Sequence, residues 1–149
     1  MTQAIIAHGA LVERSQNGTT FTEIPEAKGV AIPSITQEYL DASHIQSPDA
    51  FREYVKGMKD LGELSIPANY TTAGFTQQLA DQNFNGPITY RVTLKTAPAQ
   101  TSGDRFEFQG YPTPQVEPPT DPNEIIMMNV LIRTTGSFTF TPGTTGGGA

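Results

Sequence analysis

The segment Ile88-Thr89-Tyr90-Arg91-Val92-Thr93-Leu94 alternates apolar and polar residues at every step. A period of two puts Ile88, Tyr90, Val92 and Leu94 on one face of an extended strand and Thr89, Arg91 and Thr93 on the other. Such a strand belongs to an antiparallel sheet with one face covered and the other solvated. Nothing in the chain competes with this pattern, because 14 Gly and 12 Pro interrupt every long helical period. Hydrophobic residues make up 36% and charged residues 16%, the balance of a β-rich domain with polar connections rather than a helical bundle.

Further strands follow from the same reading. Residues 11–15 and 20–24 flank Asn17-Gly18, a hairpin signal. Ile35, Gln37 and Tyr39 alternate within 34–42, Leu64 and Ile66 within 62–70, and Phe106 and Phe108 within 105–110. Residues 111–122 hold five prolines, so they form an extended edge or a stiff loop, not a central strand. Residues 125–132 are apolar on both faces, with Ile126, Met128, Val130 and Ile132 on one and Ile125, Met127 and Leu131 on the other. A strand of that kind needs two covers, one of which can be a neighbouring subunit. Phe138 and Phe140 belong to a last strand after Gly136.

One helix is expected, with a second possible. Ser47-Pro48-Asp49 carries a cap and a first-turn proline, and Phe51, Tyr54, Val55 and Met58 then recur at helical spacing up to the Gly57 stop. Residues 73–84, with Phe75, Leu79 and Phe84, form a second short candidate. The expected architecture is mainly β: a sandwich or barrel of about seven or eight strands with one flanking α-helix. An N-terminal arm (1–10), a β domain (11–141) and a flexible Gly-rich tail (142–149) divide the chain, with polar loops at 96–103 and 111–122. The arm carries one apolar pair, Ile5 and Ile6.

Catalysis finds no support. The chain has no Cys, and its two histidines, His8 and His44, lie in no metal-ligand spacing. Asp60 and Glu63 are close in sequence but read as a solvated corner, and there is no nucleophile elbow or phosphate loop. The expectation is a non-enzyme with no cofactor. A net charge of −6 argues against gripping nucleic acid, though not against letting it slide past. Arg52, Lys56 and Lys59 are the one basic cluster, and on a helix they share a face. Asn17 and Asn69 begin glycosylation triplets read as chance, since no secretion signal or membrane span is present.

Residues 40–65 carry a resemblance. Asp41, Ser43, Ser47, Arg52-Glu53 and the run Gly57-Met58-Lys59-Asp60-Leu61-Gly62-Glu63-Leu64-Ser65 are similar to the major tail tube proteins of long-tailed, lambda-like bacteriophages. Phe108-Gln109-Gly110 and the Arg133–Gly136 interval extend the similarity, which spans most of 10–141. It implies a β-sandwich with a flanking helix, and identical subunits that form hexameric rings stacked into a tube for phage DNA. The implied partners are other copies and the tail-tip or initiator, tape-measure and terminator proteins. The implied location is the virion, after synthesis in the bacterial cytoplasm. Inter-subunit contact candidates are Arg52, Lys56, Lys59, Ile125, Met127, Leu131, Ile5 and Ile6. The helix of 50–56 would brace the sandwich and turn its basic side to an acidic neighbour. The alternatives are a tube subunit like that of type VI secretion, or a sandwich that binds carbohydrate or acts as an adhesin. Tyr39, Tyr70 and Tyr111 would be the platform of such a binder, in a chain without Trp.

Overall fold

A computed structural model of the chain describes residues 8–29, 32–96 and 101–144. Ile5 and Ile6 lie outside the described residues, as do residues 97–100 of the 96–103 loop and residues 145–149 of the tail. Eight strands and one α-helix follow in the order β1 (Leu11–Ser15), β2 (Thr22–Glu23), β3 (Thr36–Asp41), β4 (Tyr54–Asp60), β5 (Glu63–Asn69), α1 (Thr72–Asn83), β6 (Ile88–Thr93), β7 (Arg105–Glu117) and β8 (Met127–Thr141). The expected mainly β class and strand number are what the described residues adopt, with one α-helix at the candidate position of 73–84 rather than at 50–56.

Six strands form one antiparallel sheet in the order β2-β1-β6-β7-β8-β5, and β3 and β4 form a separate two-stranded sheet. The alternation that opened the sequence reading is realised: Ile88, Tyr90 and Val92 are fully buried, while Thr89, Arg91 and Thr93 are only partly so. Tyr90 stacks on Phe108, its register partner in β7, at 5.5 Å between ring centroids. Met128, Val130 and Ile132 of β8 and Ile66 and Ala68 of β5 continue the same buried face. Each fully buried side chain of this size contributes about 1.5–3 kcal/mol. The Asn17-Gly18 turn forms as the dipeptide predicts, with Gly18 at φ +79° and Asn17 Oδ1 accepting from the Thr19 and Thr20 N–H groups.

The long β7–β8 ribbon organises the sheet. β6 pairs only with residues 105–110 of β7, and β5 pairs only with residues 127–133 of β8. The ribbon therefore has two open edges on opposite sides, one along β7 beyond Gly110 and one along β8 beyond Thr134. Pro112 and Pro114 sit in the open half of β7, which is where a strand can lack donors. The proline-rich stretch is thus an extended edge through Glu117, one of the two forms expected. Gly136 does not separate two strands, as expected, but lies inside β8 at φ +76°. There the register advances from Thr139 to Thr135 on β8 while β7 moves from Glu107 to Gln109, a bulge.

The expected helix over 50–56 is absent. Its start signal forms only a 3-10 turn, Pro48–Ala50, and the chain is extended from Tyr54 to Asp60. Asp49 and Ala50 take left-handed φ values of 54° and 61°, which a right-handed helix cannot continue through. Tyr54 and Val55 favour a strand, and Gly57 is a mid-strand residue whose missing Cβ leaves room for Glu38. The brace expected from this helix is therefore overturned.

Among the described residues the one α-helix is α1, at the second candidate position. Thr71 caps it, accepting from the Gly74 N–H at 3.0 Å. Its buried face is Gly74, Gln78 and Asp81, whereas Leu79 and Phe84, expected to anchor it, are exposed. Asp81 is held by Arg14 of β1, whose Nε lies 2.6 Å from Oδ2 and whose Nη2 reaches Oδ1, and Gln16 Nε2 adds a bond at 3.2 Å. An ion pair therefore fixes the helix across the start of the sheet.

Candidate assembly surfaces

The β3–β4 hairpin stands apart from the core. Within its two strands no side chain is buried, and it carries Tyr39, Leu40, Tyr54, Val55 and an 81% exposed Met58. Register divides them between the two faces. Tyr39 pairs with Lys56, Gln37 with Lys59, Leu40 with Val55, and a bulge takes up the extra residue of β4. That bulge sets Lys56 and Lys59 beside residues of one face despite their odd spacing. The tyrosines and lysines share this face, and Leu40 and Val55 lie on the other. An isolated two-stranded hairpin is marginal in water, and uncovered apolar side chains on both its faces are unusual for a monomer.

The hairpin tip is ordered by its own polar residues. Asp41 Oδ1 accepts from the Ser43 N–H at 2.8 Å, and Ser43 Oγ accepts from the Glu53 N–H at 2.7 Å. Ser47 Oγ accepts from the His44 N–H at 2.9 Å and donates to Glu53 Oε2 at 3.1 Å. Hydrogen bonds from Ser43 hold the exposed Asp41 carboxyl below its ordinary pKa. Arg52 lies 3.9 Å from Asp41, and His44 Nε2 lies 3.5 Å from Glu53. Out of this polar frame project Ile45, fully exposed, and Phe51, 73% exposed. The motif residues of 41–53 are thus turn builders, and Asp60 has a parallel role at the hairpin's base, accepting from the Gly62 N–H at 3.1 Å.

The remaining candidates lie elsewhere. Ile125, exposed, precedes β8, and Met127 is partly buried on it. Leu131, 40% exposed, sits between Thr113 of β7 and Ser65 of β5, so its surroundings on the outer face are polar. Tyr39 lies on β3, Tyr111 on β7 and Tyr70 in the β5–α1 connection, where it packs on Phe75 at 5.8 Å. Among the described residues no three potential metal ligands come together. Sequence reasoning missed Ile45 and Phe51 as tip residues; the signal was apolar residues isolated among Ser, His, Gln and Asp in a loop. It also missed a cleft of about 420 Å³ at the hairpin root, lined in part by Ile35, Met58, Leu61 and Phe138.

Sequence comparison finds no matching family model and no significantly similar curated protein. Comparison of folds does find likenesses. A chain of the anti-feeding prophage baseplate matches with a TM-score of 0.70 at 12% identity, over 95% of this chain and 98% of that one. A chain of the sheath/tube terminator of an extracellular contractile injection system (PVC) matches at 0.69 and 10% identity, covering 94% and 98%. A chain from the tail of an empty GTA particle matches at 0.63 and 16% identity, covering 93% and 99%. The fold is therefore shared along nearly the whole chain with components of phage-tail-like particles, and is not peculiar to long-tailed phages.

Proposed function

We propose that the chain is a non-enzymatic structural subunit that assembles with copies of itself into stacked hexameric rings, the tube of a phage-type tail. The observation that carries this reading is the β3–β4 hairpin, whose strands bear apolar side chains on both faces and bury none of them. Burial of each such side chain against a neighbour stabilises an assembly by about 1.5–3 kcal/mol. The open edges of β7 and β8 lie on opposite sides of one ribbon, which suits head-to-tail joining of identical copies. The fold likenesses to tail-type particles support the same reading. They include a contractile injection system, so the tube reading extends to contractile particles as well as long flexible tails. The net charge of −6 suits a conduit past which DNA slides without adhering. Tail-tip, tape-measure and terminator proteins are the proposed partners.

Negative-stain electron microscopy of the purified chain, alone and with tail-initiation components, tests the proposal. Rings or tubes of constant diameter are expected. A chain that stays monomeric at high concentration in both conditions refutes it.

A further inference from the structure

The hairpin has two unlike ends. At its tip Ile45 and Phe51 project from a frame of internal hydrogen bonds, so little ordering is lost when they dock. At its root the cleft of about 420 Å³ opens between β4 and β8, lined by Ile35, Met58, Leu61 and Phe138. A cavity of about 150 Å³ already holds a benzene ring, so this one has room for a phenylalanine and an isoleucine side chain. One wall of the cleft is the stretch of β8 that β5 leaves unpaired, where Gly136 bulges.

The two ends also differ in charge. Residues 41–53 carry Asp41, Asp49 and Glu53 against Arg52, a balance of −2 with His44 neutral. The root carries Lys59, which has no ion-pair partner among the described residues, and the pair Asp60–Arg133 at 3.9 Å. The six residues of β3 separate tip from root by roughly 20 Å, so a tip cannot fill the cleft of its own chain.

We propose that the hairpin tip of one copy seats in the root cleft of the next, with Phe51 and Ile45 in the apolar space and Asp49 toward Lys59. This inference rests on the tube reading and names the surfaces that meet. Because tip and root are different patches, the contact is heterologous and leaves a free tip and a free root on every pair. Such a contact propagates into a ring or a filament.

The chain contains no Cys, so introduced thiols report without background. The double variant Phe51→Cys/Met58→Cys, oxidised under assembly conditions, should give a ladder of covalent oligomers, and neither single variant should. Phe51→Asp and Met58→Asp should each raise the concentration needed for assembly by about 100-fold. Mixing the two should give heterodimers, since one intact tip still meets one intact root. Both positions are exposed, and an unchanged circular dichroism spectrum verifies that each variant folds. Tubes that form from the unmodified chain, with no ladder from the double variant and no heterodimers from the mixture, overturn the docking and leave the tube reading standing. Binding of a small apolar probe or another protein in the cleft, without copy-to-copy cross-links, also overturns it. Failure of the unmodified chain to assemble at all refutes both.

Discussion

Replacing Asp81 with Asn tests how the helix is attached. The Asp81 side chain is fully buried and that of Arg14 is 11% exposed, so the pair is nearly sealed from water. Asn keeps the shape but leaves a guanidinium in place without its counter-charge. Breaking a buried pair from one side costs about 3–5 kcal/mol. The residual exposure of Arg14 lets some water reach the stranded charge, which puts the expected loss near the lower figure, about 3 kcal/mol. At 2–4 °C per kcal/mol for a chain of this size, the melting temperature should fall by about 6–12 °C. Urea unfolding below the assembly concentration gives the free energy directly. With the single variants Arg14→Met and Asp81→Leu, the double variant Arg14→Met/Asp81→Leu completes a thermodynamic cycle and should be less destabilised than either single loss, because an apolar pair of similar volume carries no stranded charge. A loss under about 1 kcal/mol for Asp81→Asn, or a double variant as unstable as the two single losses summed, refutes the assignment of the pair as the helix's attachment.

Gly110→Ala should destabilise the β7–β8 ribbon by about 1–3 kcal/mol in urea, because its Cβ would press on Ile132 Cγ2 and lie 2.9 Å from the Arg133 carbonyl oxygen. Alkali should unfold the monomer. Burial pushes the Tyr90 phenol well above its ordinary value, with Arg14 opposing weakly. Because the folded pKa is the higher one, the stabilisation is complete below the unfolded value of about 10 and is lost as pH rises above it. A Tyr90→Phe variant whose stability stays level over that range in urea titrations is the matching check. Reversing Lys59 to Glu should weaken assembly in sedimentation while leaving the thermal midpoint of the monomer within about 1 °C; unchanged tubes would remove this cation from the interface.

How much of this was legible in the residues depends on the distance over which each signal acts. The alternation at 88–94 and the Asn17-Gly18 turn are local, and both formed as read. Ser47-Pro48-Asp49 is equally local but ambiguous, because the same residues that start a helix also close a turn. What decided between them is the strand pairing of Tyr54 and Val55 with Asp41 and Leu40, which no helical period reports. The polar buried face of α1 was invisible for another reason. Asp81 looks solvated until Arg14, 67 residues earlier, is placed against it, and Gln78 shares that buried face. The candidate site was legible as a motif but not as a shape. Asp41, Ser43, Ser47 and Glu53 were singled out together, while their common task of holding a hairpin tip appears only in three dimensions. The cleft at the root joins β4 to β8 and has no sequence signature at all.

The separateness of the β3–β4 hairpin also bears on the order in which the chain can fold as it is made. β1 cannot complete its main pairing until β6 emerges, since Leu11 meets Thr93 and Ser15 meets Thr89. The hairpin closes within residues 36–60, so it can form while most of the sheet is still unsynthesised. For that interval its apolar faces are presented with no core beside them and no finished copy to receive them. Glu38, Lys56, Lys59 and Asp60, with the bulge between them, are spaced as gatekeepers against sticking to other nascent chains. Neutralising those charges should therefore reduce the yield of soluble protein during translation before it changes the strength of the finished assembly.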